Sequence, residues 1–272
     1  MGANRKRRAV LAERIELTMK GCYLGLISLN RPDKLNPLDW ETLVLLEEAL
    51  LDLSRRDEVR VICVTGKGKA FSAGGDLKSY IELQRDEVRF WKFTGLFHSI
   101  CSLIEGMRKP VIALVNGYCV AGGLELLLAC DFAYAEESAR IGDGHINYGQ
   151  MGGGGDLSRL VRRIHPARAR EMLYSGRLLT AREALEWGLV NKVVPDGKLM
   201  EEAVRFADDI AAKSPLALGN MKEMVNKAIK MREEDSLALE RLMCHHYCLT
   251  SHDAQEGLRS FAEKREAHYK GM

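Results

Sequence analysis

The chain has 272 residues, of which 46% are hydrophobic and 29% charged, and its net charge is +2 at pH 7. This is the composition of an ordinary globular protein with a sizeable core, and so even a charge balance gives no reason to expect nucleic acid as a partner. No N-terminal apolar segment follows the secretory pattern. The apolar stretch around 110–135 is broken by Asn116, Glu125 and Asp131, so no membrane span is expected there.

Residues 1–12, with the basic run Arg5-Lys6-Arg7-Arg8, are expected to form a loose, solvated arm. Ile15–Met19 alternates as a strand should, and Leu24–Leu29 is a second strand beyond a turn at Gly21, so a hairpin is expected. Asn36 and Asp39 are candidate caps for an amphipathic helix running to about Leu53. A strand over 59–65 leads into the glycine turn Phe71-Ser72-Ala73-Gly74-Gly75-Asp76. Residues 78–106 have helical spacing, and their polar opening, 79–88, suits a mobile flap. Tyr80, Phe90, Trp91, Phe93 and Phe97 could shape a pocket for a bulky or cyclic group, or simply be helix core.

Pro110–Val115 has a buried-strand pattern and is followed by a second glycine turn and the apolar helix Gly122–Ala129. Glycine lets a ligand approach the backbone closely. The first N–H groups of a helix lack intrahelical partners and favour negative charge. Two such turns after two strands are what an oxyanion or enolate site requires. Glu125, an acid inside an apolar helix, is costly unless paired or used.

Further on, short strands are expected at Ala133–Ala135 and Ala139–Gly142, and helices over Gly152–Ile164 and Ala167–Tyr174. Thr180 with Glu183 forms a capping box for another helix, and Val190–Val194 returns as a strand. From Leu199 the pattern is helical throughout. Strands alternating with helices predict an α/β fold, and no internal repeat is visible. The seven cysteines are expected to be free thiols in a reducing compartment, with a cytoplasmic location. Cys244, Cys248 and His252, four residues apart, could share one helix face as metal ligands. Without a second ligand pair, helix packing explains them more simply, and no metal is expected. The glycine run 152–155 lacks the Lys-Ser/Thr of a P-loop.

Taken in order, F-x-A-G-x-D-L at 71–77, K-P-V-I-A-x-V-N-G at 109–117 and G-G-x-E-L-x-x-A-C-D at 122–131 resemble the crotonase, or enoyl-CoA hydratase/isomerase, family. The likeness extends through Arg31–Leu38 and Leu178–Val190 and covers roughly 15–264. It implies a crotonase-like β/α spiral over 13–198 and a helical C-terminal trimerisation subdomain over 199–272, assembled as a trimer or a dimer of trimers. It also implies an acyl-CoA substrate, with coenzyme A as part of that substrate and no other cofactor. The oxyanion donors would be the N–H groups of Gly75 and Gly122. Glu125 matches the first of the family's two catalytic glutamates, while the second, in G-Q-P-E-x-x-x-G, is replaced by His145 in Gly142–Gly149. Histidine can serve as acid or base near neutrality. The resemblance places Lys34, Leu35, Lys69, Ala73, Lys78, Phe261 and Lys264 at or beside positions that meet coenzyme A, the last two from a neighbouring subunit.

The implied activity is that of a hydratase or lyase working through an enolate. Thioester or carbon–carbon hydrolysis, double-bond isomerisation and non-catalytic binding of acyl-CoA or a macromolecule stand as alternatives. Asp156 is expected to cap its helix, Asp143 to be a turn residue and Asp76 to be structural. His98 is expected to be packed.

Overall fold

The computed structural model describes residues 13–272. The loose arm and basic run expected over 1–12 lie outside the described residues. The hairpin β1 (Ile15–Lys20) and β2 (Leu24–Leu29) is followed by helix α1 (Trp40–Arg55). Next come β3 (Val61–Gly66), β4 (Ala70–Ser72), α2 (Leu77–Leu83) and α3 (Glu87–Gly106). The next stretch holds β5 (Val111–Val115), β6 (Tyr118–Val120) and α4 (Gly122–Ala129), then β7 (Phe132–Glu136) and β8 (Arg140–Gly142). Helices α5 (Asp156–Arg163) and α6 (Pro166–Ser175) precede β9 (Leu179–Thr180), α7 (Ala181–Glu186) and β10 (Lys192–Val194). The chain then stays helical through α8 (Leu199–Ala211), α9 (Pro215–Ala228), α10 (Glu233–Thr250) and α11 (His252–Glu263).

Strands β1-β2-β3-β5-β7-β10 form a six-stranded sheet and β4-β6-β8-β9 a four-stranded one. The pairs β3/β5, β5/β7, β4/β6 and β6/β8 are all parallel. From β3 to β8, consecutive strands go alternately to the larger and the smaller sheet, giving a repeated strand–strand–helix turn. The repeat is in the backbone path; the sequence carries no matching self-similarity.

The inner strands β2, β3 and β5 of the large sheet are almost continuously buried because both faces are covered, whereas the edge strand β1 alternates with polar residues. Ile27, Ile62, Val64, Ala113 and Ala133 enter the main core with α1, α3 and α4. Their neighbours Leu26, Cys63, Ile112, Leu114 and Tyr134 point the other way and meet α8 through Leu199, Ala203 and Ala207. The first helix of the C-terminal region therefore completes the second core layer. The region is tied further by Lys222 of α9, whose buried ammonium donates to the Ile104 and Lys109 carbonyls and to Asp131 at 2.8 Å.

Several local expectations change at this level. Asp39 caps α1 by accepting from Thr42 N, whereas Asn36 braces a loop instead, with its amide donating to the Lys67 and Ala70 carbonyls. The helical stretch 78–106 is divided: α2 ends at Leu83, and Asp86 caps α3 by accepting from Arg89 N. The proposed flap is thus helix α2 and a turn, with Tyr80 edge-on to Phe90 and Phe93 and Gln84 bonded to Gln150 at 2.7 Å. Asp76 caps α2, as expected of a structural residue. His98 is exposed, since it sits on the face of α3 opposite Phe93, Phe97 and Ile100. Cys63, Cys101, Cys119 and Cys130 are buried free thiols, while Cys22, Cys244 and Cys248 are exposed.

Candidate active site

The two glycine turns meet. Gly74 (φ +90°) has no room for a side chain, because a Cβ would lie 2.8 Å from Ala121 Cβ and 3.0 Å from Gly122 N. Ser72 holds this turn by accepting from Gly74 N and donating to the Asn36 carbonyl. Across the gap, Ala121 adopts φ 52° and ψ −118°, a strained conformation for a non-glycine residue, immediately before α4. Its N–H donates to the Gly142 carbonyl, which fixes the turn from which Gly122 N emerges. Among the described residues, no acceptor is bonded to the Gly75 or the Gly122 N–H. Two backbone donors held at adjoining turns are what an oxyanion hole requires.

Beneath these donors is a cavity of ≈ 380 Å³, lined by Leu35, Ala73, Gly75, Gly122, Glu125 and His145 among others. Its size suits a small-molecule site. Phe93, Phe97 and Tyr80 form an apolar wall, so three of the five aromatic candidates face the cavity; Trp91 is 79% exposed. Phe93 and Phe97 also belong to the main core, so wall and core are the same side chains here.

Glu125 is 3% exposed, and its Oε1 accepts the Gly154 N–H at 2.5 Å. Gly154 is itself held by Arg159, which donates to its carbonyl and pairs with Glu105 on α3. The glycine run makes space for acids: a Cβ on Gly154 would come within 2.7 Å of Glu125 Oε2, and one on Gly152 within 2.1 Å of both Asp156 oxygens.

His145 opens a 3₁₀ turn, His145–Tyr148, after β8. Its Nδ1 is 2.7 Å from Asp143 Oδ1 and its backbone N–H donates to Asp143 Oδ2. That bond sets the tautomer and leaves Nε2 without a protein partner among the described residues. Burial works against the imidazolium, but the Asp143 hydrogen bond and charge outweigh it and raise the His145 pKa. On Asp143, burial opposes ionisation, and its bond to His145 reverses this and holds the carboxyl below its usual range. Asp143 is therefore the turn residue expected, since its carboxylate accepts the N–H two residues on, and it is also the buried partner of the His145 ring.

The expected role of Asp156 is corrected. Gly155 occupies the N-cap position of α5, while Asp156 lies in its first turn, 0% exposed, with Oδ2 3.7 Å from His145 Nδ1. Neither of its oxygens has a hydrogen-bond donor in reach among the described residues. Burial, then contact with Asp143 and Glu125, pushes its pKa up to about 9. Charge patterning could not reveal this residue, because an acid at a helix start is the ordinary capping signal.

Ligand atoms of Asp143, His145 and Asp156 lie within 4.8 Å of one another, a spacing that could hold a metal ion, but the Asp143–His145 bond occupies two of them with each other. The Cys244/Cys248/His252 set does not assemble. The helix breaks at Ser251, so His252 begins α11 and its Nδ1 lies 3.4 Å from Asp253. The two thiols sit 3.9 Å apart on α10.

Of the residues matched to coenzyme A contacts, Leu35 and Ala73 line the cavity, joined by the Ala73 N–H to Leu35 carbonyl bond. Lys34, Lys69 and Lys78 are exposed and close in sequence to lining residues; the Lys69 carbonyl accepts from Tyr118 of the cavity wall. Phe261, 86% exposed, and Lys264 lie at the end of α11 and do not line the cavity of their own chain.

A fold of two interleaved sheets here brings two backbone amides and a buried carboxylate to one cavity, the class of site that can stabilise an oxyanion. Residues 22–272 match the family model described as enoyl-CoA hydratase/isomerase, and the chain belongs to that family. It is 38% identical over 265 residues to the carnitinyl-CoA dehydratase of Salmonella typhimurium, covering 96% of this chain and 100% of that protein. The crystal structure of an enoyl-CoA hydratase from Bacillus anthracis superposes with a TM-score of 0.90 at 35% identity, covering 95% of this chain and 100% of the other. That of an enoyl-CoA hydratase from Polaromonas sp. JS666 gives 0.88 at 31%, covering 94% and 99%.

Proposed function

We propose that the protein is an acyl-CoA hydratase or lyase, adding water to an enoyl thioester or removing it from the hydroxyacyl form. The observation that carries this is the convergence in one cavity of Gly75 and Gly122, whose amides have no acceptor among the described residues, with Glu125 and His145. The names of its relatives support the same chemistry.

In the forward direction, water is held between Glu125 and Nε2 of protonated His145. Its oxygen bonds to the β-carbon as Glu125 takes its proton, and the double-bond electrons move onto the thioester oxygen. Gly75 and Gly122 stabilise that charge. The enolate then collapses and its α-carbon takes the proton from His145. Lys34, Lys69 and Lys78 serve the nucleotide phosphates as flexible point charges, and Leu35 and Ala73 border the pantetheine. Phe261 and Lys264 reach the ligand of a neighbouring protomer in a trimer or a dimer of trimers. Exposed Met221, Val225, Leu237, Leu242 and Leu249 on α9 and α10 support that assembly.

The Asp143–His145 pair also favours a second reading, because it could direct water at a carbonyl carbon and make the enzyme a thioester or carbon–carbon hydrolase. In either case the protonation of His145 is the test. Asp143 raises the His145 pKa, so protonated His145 is available below its folded midpoint and is lost as pH rises through it. Asp143→Asn removes that support and should move the alkaline fall in kcat to lower pH. An unmoved or upward-shifted profile would exclude His145 as the proton donor.

A further inference from the structure

We propose that Asp156 is a resident neutral carboxylic acid, a positioning residue that shares its proton with the carboxylates of Glu125 and Asp143. The inference rests on the hydratase reading for its kinetic test but not for its structural one. Asp156 lies behind the cavity wall and does not line it, so it acts on the reacting groups through its neighbours.

The argument begins with what surrounds the side chain. From α4 it meets Glu125, and from the loop after β8 it meets Asp143 and His145. Gly152 is close on the remaining side, where a Cβ would collide with both oxygens. Among the described residues, no amide, hydroxyl or cation donates to Asp156, although it is fully buried. An ionised carboxylate left so is severely penalised. Two carboxylates in contact become a hydrogen bond only when one carries a proton, as in acid pairs that share a single proton.

The other two acids have donors already: Glu125 accepts from Gly154, and Asp143 accepts twice from His145. Asp156 alone has none, so the shared proton belongs on it. Its single O–H donates at any moment either to the Glu125 carboxylate, whose Oε1 is held by Gly154, or to Asp143, which is held by His145. The three acids and the histidine then hold two protons beyond full deprotonation, one on Asp156 and one on His145. The cluster can thus be dry without carrying three like charges. Turnover would use the His145 proton and leave that of Asp156 in place.

The test compares Asp156→Asn with Asp156→Ala in the full-length protein. Asparagine keeps the shape and a donor but carries no charge, so it imitates the neutral acid. We expect Asp156→Ala to lower kcat at least ~30-fold, with KM for an enoyl-CoA within ~3-fold, and Asp156→Asn to recover the rate to within ~10-fold of wild type. Both should unfold cooperatively. The His145 imidazole titration, followed by NMR, should stay within ~0.3 pH units of wild type in Asp156→Asn, because no charge has been removed beside Nδ1.

A folded Asp156→Asn as slow as Asp156→Ala would overturn the proposal. So would a His145 midpoint that falls by a unit or more, which would reveal an ionised Asp156. Calorimetric binding of one Zn²⁺ or Mn²⁺ per chain to EDTA-treated wild type, lost in Asp156→Asn, would replace the proton with a metal and also refute it. If the wild type turns over no enoyl-CoA, the hydratase reading fails, and the His145 titration alone decides the state of Asp156.

Discussion

Glu125→Gln will lower kcat by roughly 10²–10⁴-fold, the range that a positioned acid–base group contributes, while leaving the fold and thioester binding intact. Glutamine preserves what the structure asks of this side chain as a packed residue, since its carbonyl oxygen can still accept the Gly154 N–H. What it cannot do is take a proton from water. The effect should therefore appear in kcat, with KM changed little and thermal unfolding near that of wild type. Stopped-flow loss of enoyl-thioester absorbance, together with calorimetric binding of a non-reactive acyl-CoA, separates the two. A Glu125→Gln enzyme retaining more than about a tenth of wild-type kcat would remove Glu125 from the proposed mechanism.

The second large effect concerns the donors. Their N–H groups cannot be deleted by an ordinary side-chain change, but the turn that aims them can be altered. Gly74→Ala places a Cβ 2.8 Å from Ala121 Cβ and 3.0 Å from Gly122 N, in a backbone conformation (φ +90°) that side chains rarely adopt. The two turns must move apart, and the Gly75 and Gly122 N–H groups lose the spacing that the proposed oxyanion hole needs. Losing one such donor raises a barrier by about 2.7–4 kcal/mol. Gly74→Ala is thus expected to reduce kcat about 10²–10³-fold, with folding intact by circular dichroism. A fully active Gly74→Ala would show that the meeting of the two turns is not what stabilises the enolate.

The sequence made much of this site legible because glycine is a constraint that survives without structure. Gly74, Gly75 and Gly122 stand at strand-to-helix junctions, and the helices begin close to where the patterns place them, but the strands that enter the turns are Ala70–Ser72 and Tyr118–Val120 rather than the longer ones expected. The large sheet was equally visible, since its inner strands are continuous apolar runs and its edge strand β1 alternates. Of the small sheet, only Arg140–Gly142 was. Ala70–Ser72, Tyr118–Val120 and Leu179–Thr180 are two or three residues long, too short to show alternation, and pairing partners define them.

The acids illustrate the other limit. Asp143 is the turn residue expected, and only its bond to the His145 ring was hidden. Asp156 looked like a local cap because its neighbours, Glu125, Asp143 and His145, come from other elements of the fold. Asn36 was misjudged for the same reason, since its amide serves carbonyls more than thirty positions on in the chain. The break at Ser251 was also hidden. Its side chain accepts from Asp253 and Ala254, and so starts a new helix within an unbroken helical pattern.

The central claim is that water adds to, or leaves, an intact CoA thioester at this site. The most direct measurement is mass spectrometry of a panel of enoyl-, aryl- and β-keto-acyl-CoAs incubated with the enzyme in ¹⁸O-water. The account predicts an intact thioester heavier by one labelled water, formed by wild type and not by Glu125→Gln. Label found instead in a released acid, with free coenzyme A or a split carbon chain, would contradict it and identify a hydrolase.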